Sequence, residues 1–242
     1  MPNREEILRP LRPALVPVPS AGQLGICPIC HSSRAERYAT CYPCAQAAPL
    51  DPPPILPVSM SVAGGALHYH LRQYKDSPSR STRDRFTLRL AALVAVFMEH
   101  HATCIGAWDV VTGVPSARRR ALDPVITKLK IFHRRHSPVL TARSSEEERS
   151  FDRGQFQVGG DLVGHRVLLL DDTFTTGARL FSAVAALRQA GATVVGPVVL
   201  GRHVEPSWGP SGEMMTWLAE RLWTAEGCAR CAGEQQHADR LF

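Results

Sequence analysis

The stretch Val167-Leu168-Leu169-Leu170-Asp171-Asp172-Thr173-Phe174-Thr175-Thr176-Gly177 decides the fold. An apolar run ends at two acids, a hydroxyl-rich loop follows, and a glycine opens the next segment. A run without polar alternation suits a strand buried on both faces, as in the middle of a parallel sheet. Beyond it, Leu180, Phe181, Val184 and Leu187 share one helical face and Gly191 ends the pattern, which predicts a helix over 177–189. A further strand is expected over 193–200. Strand, helix and strand make a right-handed crossover unit. The expected fold class is α/β, a parallel sheet flanked by helices.

Each part of the stretch has a chemical use. Open α/β sheets bind ligands at the C-terminal ends of their strands. A following helix offers unpaired N–H groups and a positive dipole end to a phosphate. The hydroxyls of Thr173, Thr175 and Thr176 can donate to the same oxygens, and Gly177 allows the backbone to come close. Asp171 and Asp172, one loop away, can accept hydrogen bonds from two vicinal sugar hydroxyls. A ribose 5-phosphate fits this arrangement.

Upstream, apolar residues Phe86, Leu90, Leu93, Val94 and Phe97 follow an amphipathic helical stripe. A short helix is expected over 66–74, a strand over 105–114, a helix over 124–133, a short strand over 139–141 and a last helix over 214–223. The Pro- and Arg-rich residues 1–20 read as a flexible lead-in. Five prolines in 48–57 read as a stiff linker or boundary. The expected domains are the lead-in, a metal module over 21–50 and an α/β domain over 58–242.

The seven cysteines include Cys27-x-x-Cys30 and Cys41-x-x-Cys44, whose four thiolates match tetrahedral Zn²⁺. So short a segment builds no core of its own, and the metal would supply its folding energy. His31 is a spare donor beside them. Cys228-x-x-Cys231 stays open: a second site with His237 or His203, a disulfide, or free thiols. Cys104 reads as a small core residue.

A net charge of +6 favours anionic ligands, whether phosphates, pyrophosphate or nucleic acid. Two tyrosines of the metal module, Tyr38 and Tyr42, are the candidates for stacking on bases. The basic run His133-Arg134-Arg135-His136 reads as a solvated helix end. No apolar run reaches the length of a membrane span, the longest being 91–98. The start lacks the apolar region of a secretory signal, so a cytoplasmic location is expected by default.

The stretch 167–177 closely resembles the signature of the type I phosphoribosyltransferases, which use 5-phosphoribosyl-1-pyrophosphate (PRPP) with Mg²⁺. The resemblance implies that Asp171 and Asp172 hold the ribose hydroxyls while Thr173, Phe174, Thr175, Thr176 and Gly177 hold the 5-phosphate. Trp108-Asp109-Val110-Val111-Thr112-Gly113-Val114-Pro115-Ser116 resembles the pyrophosphate-binding strand and loop of that family. It implies PRPP contacts at Val114, Pro115, Ser116 and Arg118, with Arg119 and Arg120 beside them. A loop over 142–153 would then close over the substrate. From Cys27 to Leu200 the order of features is similar to the ComF family, in which a four-cysteine zinc module precedes such a domain. Tyr74-Lys75-Asp76 and the segment with Gly154, Phe156 and Val158 carry part of that likeness.

The ComF resemblance implies a link to DNA uptake; single-stranded DNA or a competence-machinery protein is then a candidate partner, and a homodimer a candidate assembly. The chain departs from the ComF pattern after Pro115 and lacks an asparagine near Phe151 and Asp152. Two functions follow: transfer of a phosphoribosyl group to a nitrogen nucleophile with release of pyrophosphate, or a non-enzymatic role in DNA handling.

Overall fold

The computed structural model describes residues 3–21, 23, 25–115, 122–143, 151–208 and 211–231. Its helices and strands are, in chain order, α1 (Arg4–Leu8), α2 (Tyr42–Gln46), β1 (Leu56–Val62), α3 (Ala66–Asp76), α4 (Arg80–Ile105), β2 (Val110–Gly113), α5 (Asp123–Ile126), β3 (Leu140–Ala142), β4 (Phe156–Val158), β5 (Arg166–Phe174), α6 (Ala178–Gln189), β6 (Thr193–Val204) and α7 (Ser211–Ala219). Ser116, Arg118, Arg119, Arg120, His237 and most of the expected closing loop lie outside the described residues.

The central sheet has the order β1-β6-β5-β2 and every pairing in it is parallel. The apolar run does become an inner strand, and its alternation separates two cores. Leu168 and Leu170 face the layer of α3 and α4, while Val167 and Leu169 face α6. The strand also continues past Leu170, because β6 is long enough to pair Asp171 with Val199 and Thr173 with Gly201. The two acids therefore sit inside the last ladder steps rather than beyond them. Strands β3 and β4 form a separate antiparallel pair.

Helix α4 runs for 26 residues and starts at Ser79, whose hydroxyl accepts from the Thr82 N–H at 3.3 Å. By length and composition alone it could cross a membrane. Its apolar stripe, Phe86, Leu90, Leu93, Val94 and Phe97, is instead buried in the core. At His101 the backbone leaves helical geometry (φ −125°, ψ 19°), and Gly106 at φ +84° ends the helix.

Several expectations need correction. The described part of the expected flexible lead-in 1–20, residues 3–20, is packed: Leu8 and Leu11 are fully buried against the α4 layer. Asn3 and Glu6 form a reciprocal cap on α1, and Val16 bridges to Met60 on β1. Ile7, Leu8, Leu11 and Leu15 supply the apolar face that a Pro- and Arg-rich composition concealed. The expected strand over 105–114 begins only at Val110, since Gly106 turns the chain out of α4 first. The helix over 124–133 breaks into α5 and a 3₁₀ turn at Lys130–Phe132, because Leu129 is extended (φ −100°, ψ 111°).

The segment 48–57, expected as a stiff linker or boundary, is tied to the α/β domain. Arg188 of α6 donates to the carbonyls of Leu50 and Asp51, the latter at 2.9 Å, and Ile55 is fully buried. The cysteine segment shares one apolar cluster with Phe174, Leu180 and Leu187, so it is fused to the α/β domain through a common core.

Candidate functional site

The site starts where the chain leaves β5. Thr175 and Thr176 are exposed in the loop, and Gly177 caps α6 at φ +84°. A side chain there would be strained by the left-handed backbone and would lie within 2.8 Å of ring carbons of Phe174 and Phe181. Those two rings pack edge to face with centroids 5.5 Å apart. Phe174 is 1% exposed, so it can offer a ligand its backbone only. The loop is thus a polar backbone turn clamped from below by two phenyl rings. It leads directly into the N-terminal end of a 12-residue helix.

The two acids differ. Asp172, two residues beyond Leu170, faces α3. It accepts hydrogen bonds from the Tyr74 hydroxyl and from Lys75 Nζ, the latter at 2.9 Å. Burial, and next the charge of Asp172, push the Tyr74 phenol well above its ordinary range, so Tyr74 stays a donor. Asp171 lines the same cavity, and its Oδ1 accepts from the Asp172 N–H at 2.9 Å. Burial, and next the charge of Asp172, push its carboxyl up to about 8, against smaller opposing pulls from Lys75 and Arg179. One acid is committed to a protein partner, and the other holds its proton unusually tightly.

Strand β2 runs beside β5 in the same direction, with Gly113 paired to Leu170 and the Val114 N–H donating to the Leu170 carbonyl at 2.9 Å. The loops after the two strands therefore open at one edge of the sheet. Arg179, in the first turn of α6, donates to the Pro115 carbonyl and lies 5.5 Å from the Phe156 ring centre. Together they bound a cavity of about 670 Å³ whose lining includes Val114, Asp171 to Leu180, His68, Arg72, Lys75 and Asp76. Cations line a space whose floor is a helix N-terminus, and that suits a phosphorylated ligand carrying a hydroxylated ring.

Cys27, Cys30, Cys41 and Cys44 are all buried, with their sulfurs within 4.8 Å of one another. Cys30 and Cys41 Sγ atoms lie 3.4 Å apart. Four soft donors gathered in this way fit a tetrahedral Zn²⁺-type ion. His31 is not part of the group: its backbone is left-handed (φ 58°) and its Nδ1 faces the Pro19 carbonyl at 3.0 Å.

Arg202, on β6, joins the quartet to the loop. Its guanidinium donates to the Cys30 carbonyl at 3.0 Å and the Phe174 carbonyl at 3.2 Å, and lies 3.7 Å from Cys30 Sγ.

Among the sequence-derived candidates, the structure brings Asp171, Asp172, the 173–177 loop and Val114 to one cavity and places Pro115 under Arg179. Sequence reasoning assigned no role to Arg72, Arg179 or Arg202, and gave Tyr74 and Lys75 none beyond a resemblance. A Tyr-Lys pair at a helix end and an arginine inside an apolar strand were the available signals.

No family profile matches the chain. A 108-residue stretch is 34% identical to an orotate phosphoribosyltransferase of Dichelobacter nodosus, covering 45% of this chain and 47% of that protein. A 95-residue stretch is 39% identical to an orotate phosphoribosyltransferase of Corynebacterium glutamicum, covering 39% and 48%. The chain spans about half the length of these relatives. Among solved structures, a phosphoribosyltransferase from Corynebacterium diphtheriae is 25% identical over 57% of this chain and 94% of its own, with a TM-score of 0.33. In the stretches they share, this chain is similar in sequence to orotate phosphoribosyltransferases.

Proposed function

We propose that the chain binds PRPP with Mg²⁺ and transfers the phosphoribosyl group to a nitrogen nucleophile, releasing pyrophosphate. The observation that carries this reading is the shared edge of β5 and β2. It sets the acid pair, the threonine loop and the Val114–Pro115 turn around one cavity lined by Arg72, Lys75 and Arg179. The sequence similarity to orotate phosphoribosyltransferases supports the same reading.

In this account, Thr173 to Gly177 and the start of α6 hold the 5-phosphate through hydroxyls and backbone N–H groups. Asp171 and Asp172 accept from the ribose 2- and 3-hydroxyls and face the positive charge that grows on the sugar as the leaving group departs. Tyr74 and Lys75 keep Asp172 from turning away, and Arg179 fixes the Pro115 turn. The carboxylate oxygens at the cavity wall are hard donors that suit Mg²⁺ close to the ribose, where the ion would neutralise pyrophosphate charge. The cysteine quartet would hold structural Zn²⁺.

The test is pyrophosphate release from PRPP and Mg²⁺ with a panel of nitrogen acceptors that includes orotate. Release with one acceptor, cut by roughly 10²-fold or more in Asp171→Asn/Asp172→Asn, is expected. Absence of release with every acceptor overturns transfer.

A second reading is a ComF-like binding role in DNA handling. The observation favouring it is an exposed aromatic pair on the cysteine segment: Tyr38 is 54% and Tyr42 74% exposed, and the Arg37 guanidinium lies 4.9 Å from the Tyr38 ring centre. Single-stranded DNA binding that is lost in Tyr38→Ala/Tyr42→Ala would support it.

A further inference from the structure

A second cluster of metal-ligand type lies on the opposite side of the sheet from the cysteine quartet. His101 and Cys104 stand three residues apart near the end of α4, on one side of the helix. Cys228 and Cys231 come from the segment after α7, where residues 220–230 are turns and irregular backbone. The four ligand atoms lie within 4.8 Å of one another. We propose that His101, Cys104, Cys228 and Cys231 form a second zinc-type site that fastens the C-terminal segment to α4.

The distances fit that assignment. Ligands at about 2.3 Å (sulfur) and about 2.0 Å (nitrogen) around a tetrahedral ion are separated by about 3.8 Å between sulfurs and about 3.5 Å between sulfur and nitrogen. Cys228 and Cys104 Sγ are 3.8 Å apart, and Cys231 Sγ is 3.7 Å from His101 Nδ1. Cys228 and Cys231 Sγ, at 3.1 Å, need to open by about 0.7 Å.

The surroundings fit as well. His101 is 1% exposed, and its Nε2 lies 2.8 Å from the Ala225 carbonyl. That hydrogen bond requires the proton on Nε2 and leaves Nδ1 with its lone pair toward the sulfurs, the usual outer partner of a metal-bound imidazole. The Cys231 N–H points at Cys228 Sγ at 3.4 Å, and Arg230 donates to the Cys104 carbonyl. Three thiolates and a divalent ion leave one negative charge, which the Arg230 guanidinium beside the site offsets. The backbone leaves helical geometry at His101, whose ring meets the incoming segment at Ala225 and Cys231. The turns and irregular backbone over 220–230 would gain folding energy from metal ligation.

The test uses the full chain as purified with zinc. Total zinc should fall by about one equivalent per chain in Cys228→Ser/Cys231→Ser, whatever the Cys27 quartet holds. In the wild type, N-ethylmaleimide should spare Cys104 and Cys231, which are only partly buried, until a chelator is added, with the modified residues located by peptide mass spectrometry. Unchanged zinc content in the variant overturns the proposal. So does alkylation of Cys104 and Cys231 without chelator. Protection that ignores the chelator but yields to a reductant marks a disulfide, and overturns it too. Should the serine variant fail to fold, the wild-type alkylation experiment decides alone.

Discussion

Lys75 Nζ lies 2.9 Å from Asp172 Oδ2, across 97 residues of sequence. With the Tyr74 hydroxyl on the same oxygen, the contact ties the end of α3 to the last ladder steps of β5. It also makes two adjacent acids unequal. Two side chains orient Asp172 before any ligand arrives, whereas Asp171 accepts the Asp172 N–H at 2.9 Å and has a raised proton affinity. Tyr74→Phe removes one hydrogen bond worth about 1 kcal/mol. The expected result is PRPP binding weakened roughly fivefold, with the Lys75→Ala change larger. Titration calorimetry on both variants checks the order.

The raised affinity of Asp171 for its proton gives a pH dependence with a definite sign. Burial holds the proton on the folded chain between the ordinary carboxylate range and about 8, where the unfolded chain has released it. Over that window the folded state binds more protons, so stability falls as pH rises. Asp171→Asn removes this penalty. The difference in Tm between variant and wild type should therefore shift in favour of the variant between about pH 5 and about pH 8.5. A difference constant across those pH values contradicts the assignment.

Gly177 stands where the loop turns into α6. Gly177→Ala puts a methyl on a left-handed residue and against the paired rings of Phe174 and Phe181. Rings packed this closely yield only by moving the loop, and a shift of about 1 Å in a positioning loop costs on the order of 10²-fold. The variant should stay folded by circular dichroism while losing PRPP affinity on that scale.

Arg202 is 5% exposed and holds the carbonyls of Cys30 and Phe174 together. Arg202→Met leaves both carbonyls without that donor. The expected cost is about 2–4 kcal/mol in urea unfolding. If the quartet holds the proposed Zn²⁺, stripping it should likewise weaken PRPP binding, because Arg202 links the Phe174 end of the loop to the Cys30 backbone. Unaltered affinity after chelation would separate the two sites.

Leu11→Ala tests the corrected N-terminus. A fully buried leucine in the α4 layer predicts a loss of about 2–5 kcal/mol. A flexible lead-in predicts almost none.

The site was legible in sequence wherever chemistry and periodicity coincided. The apolar run 167–170, the acids and Gly177 follow one another along the chain, so a strand, a loop and a helix start could be read in register. The four cysteines were legible for the same reason, since their spacing is local. What sequence hid was non-local. Tyr74 and Lys75 reach Asp172 only because α3 packs over β1 and β6, and nothing near Asp172 in sequence announces them. Arg202 sits in an apolar strand and becomes meaningful only through two carbonyls from other segments. Leu8 and Leu11 were masked by neighbouring proline and arginine. His101 and Cys104 form a His-x-x-Cys pair, but their partner pair lies 124 residues beyond Cys104.

The most direct test of the central claim is titration calorimetry of PRPP with Mg²⁺ into the wild type and into Asp171→Ala/Asp172→Ala. The account predicts one saturable site per wild-type chain and no measurable binding to the double variant, with both proteins folded and carrying equal zinc. A folded, zinc-loaded wild type that fails to bind PRPP, or a double variant that binds it equally well, would contradict the assignment of this cavity to a phosphoribosyl ligand.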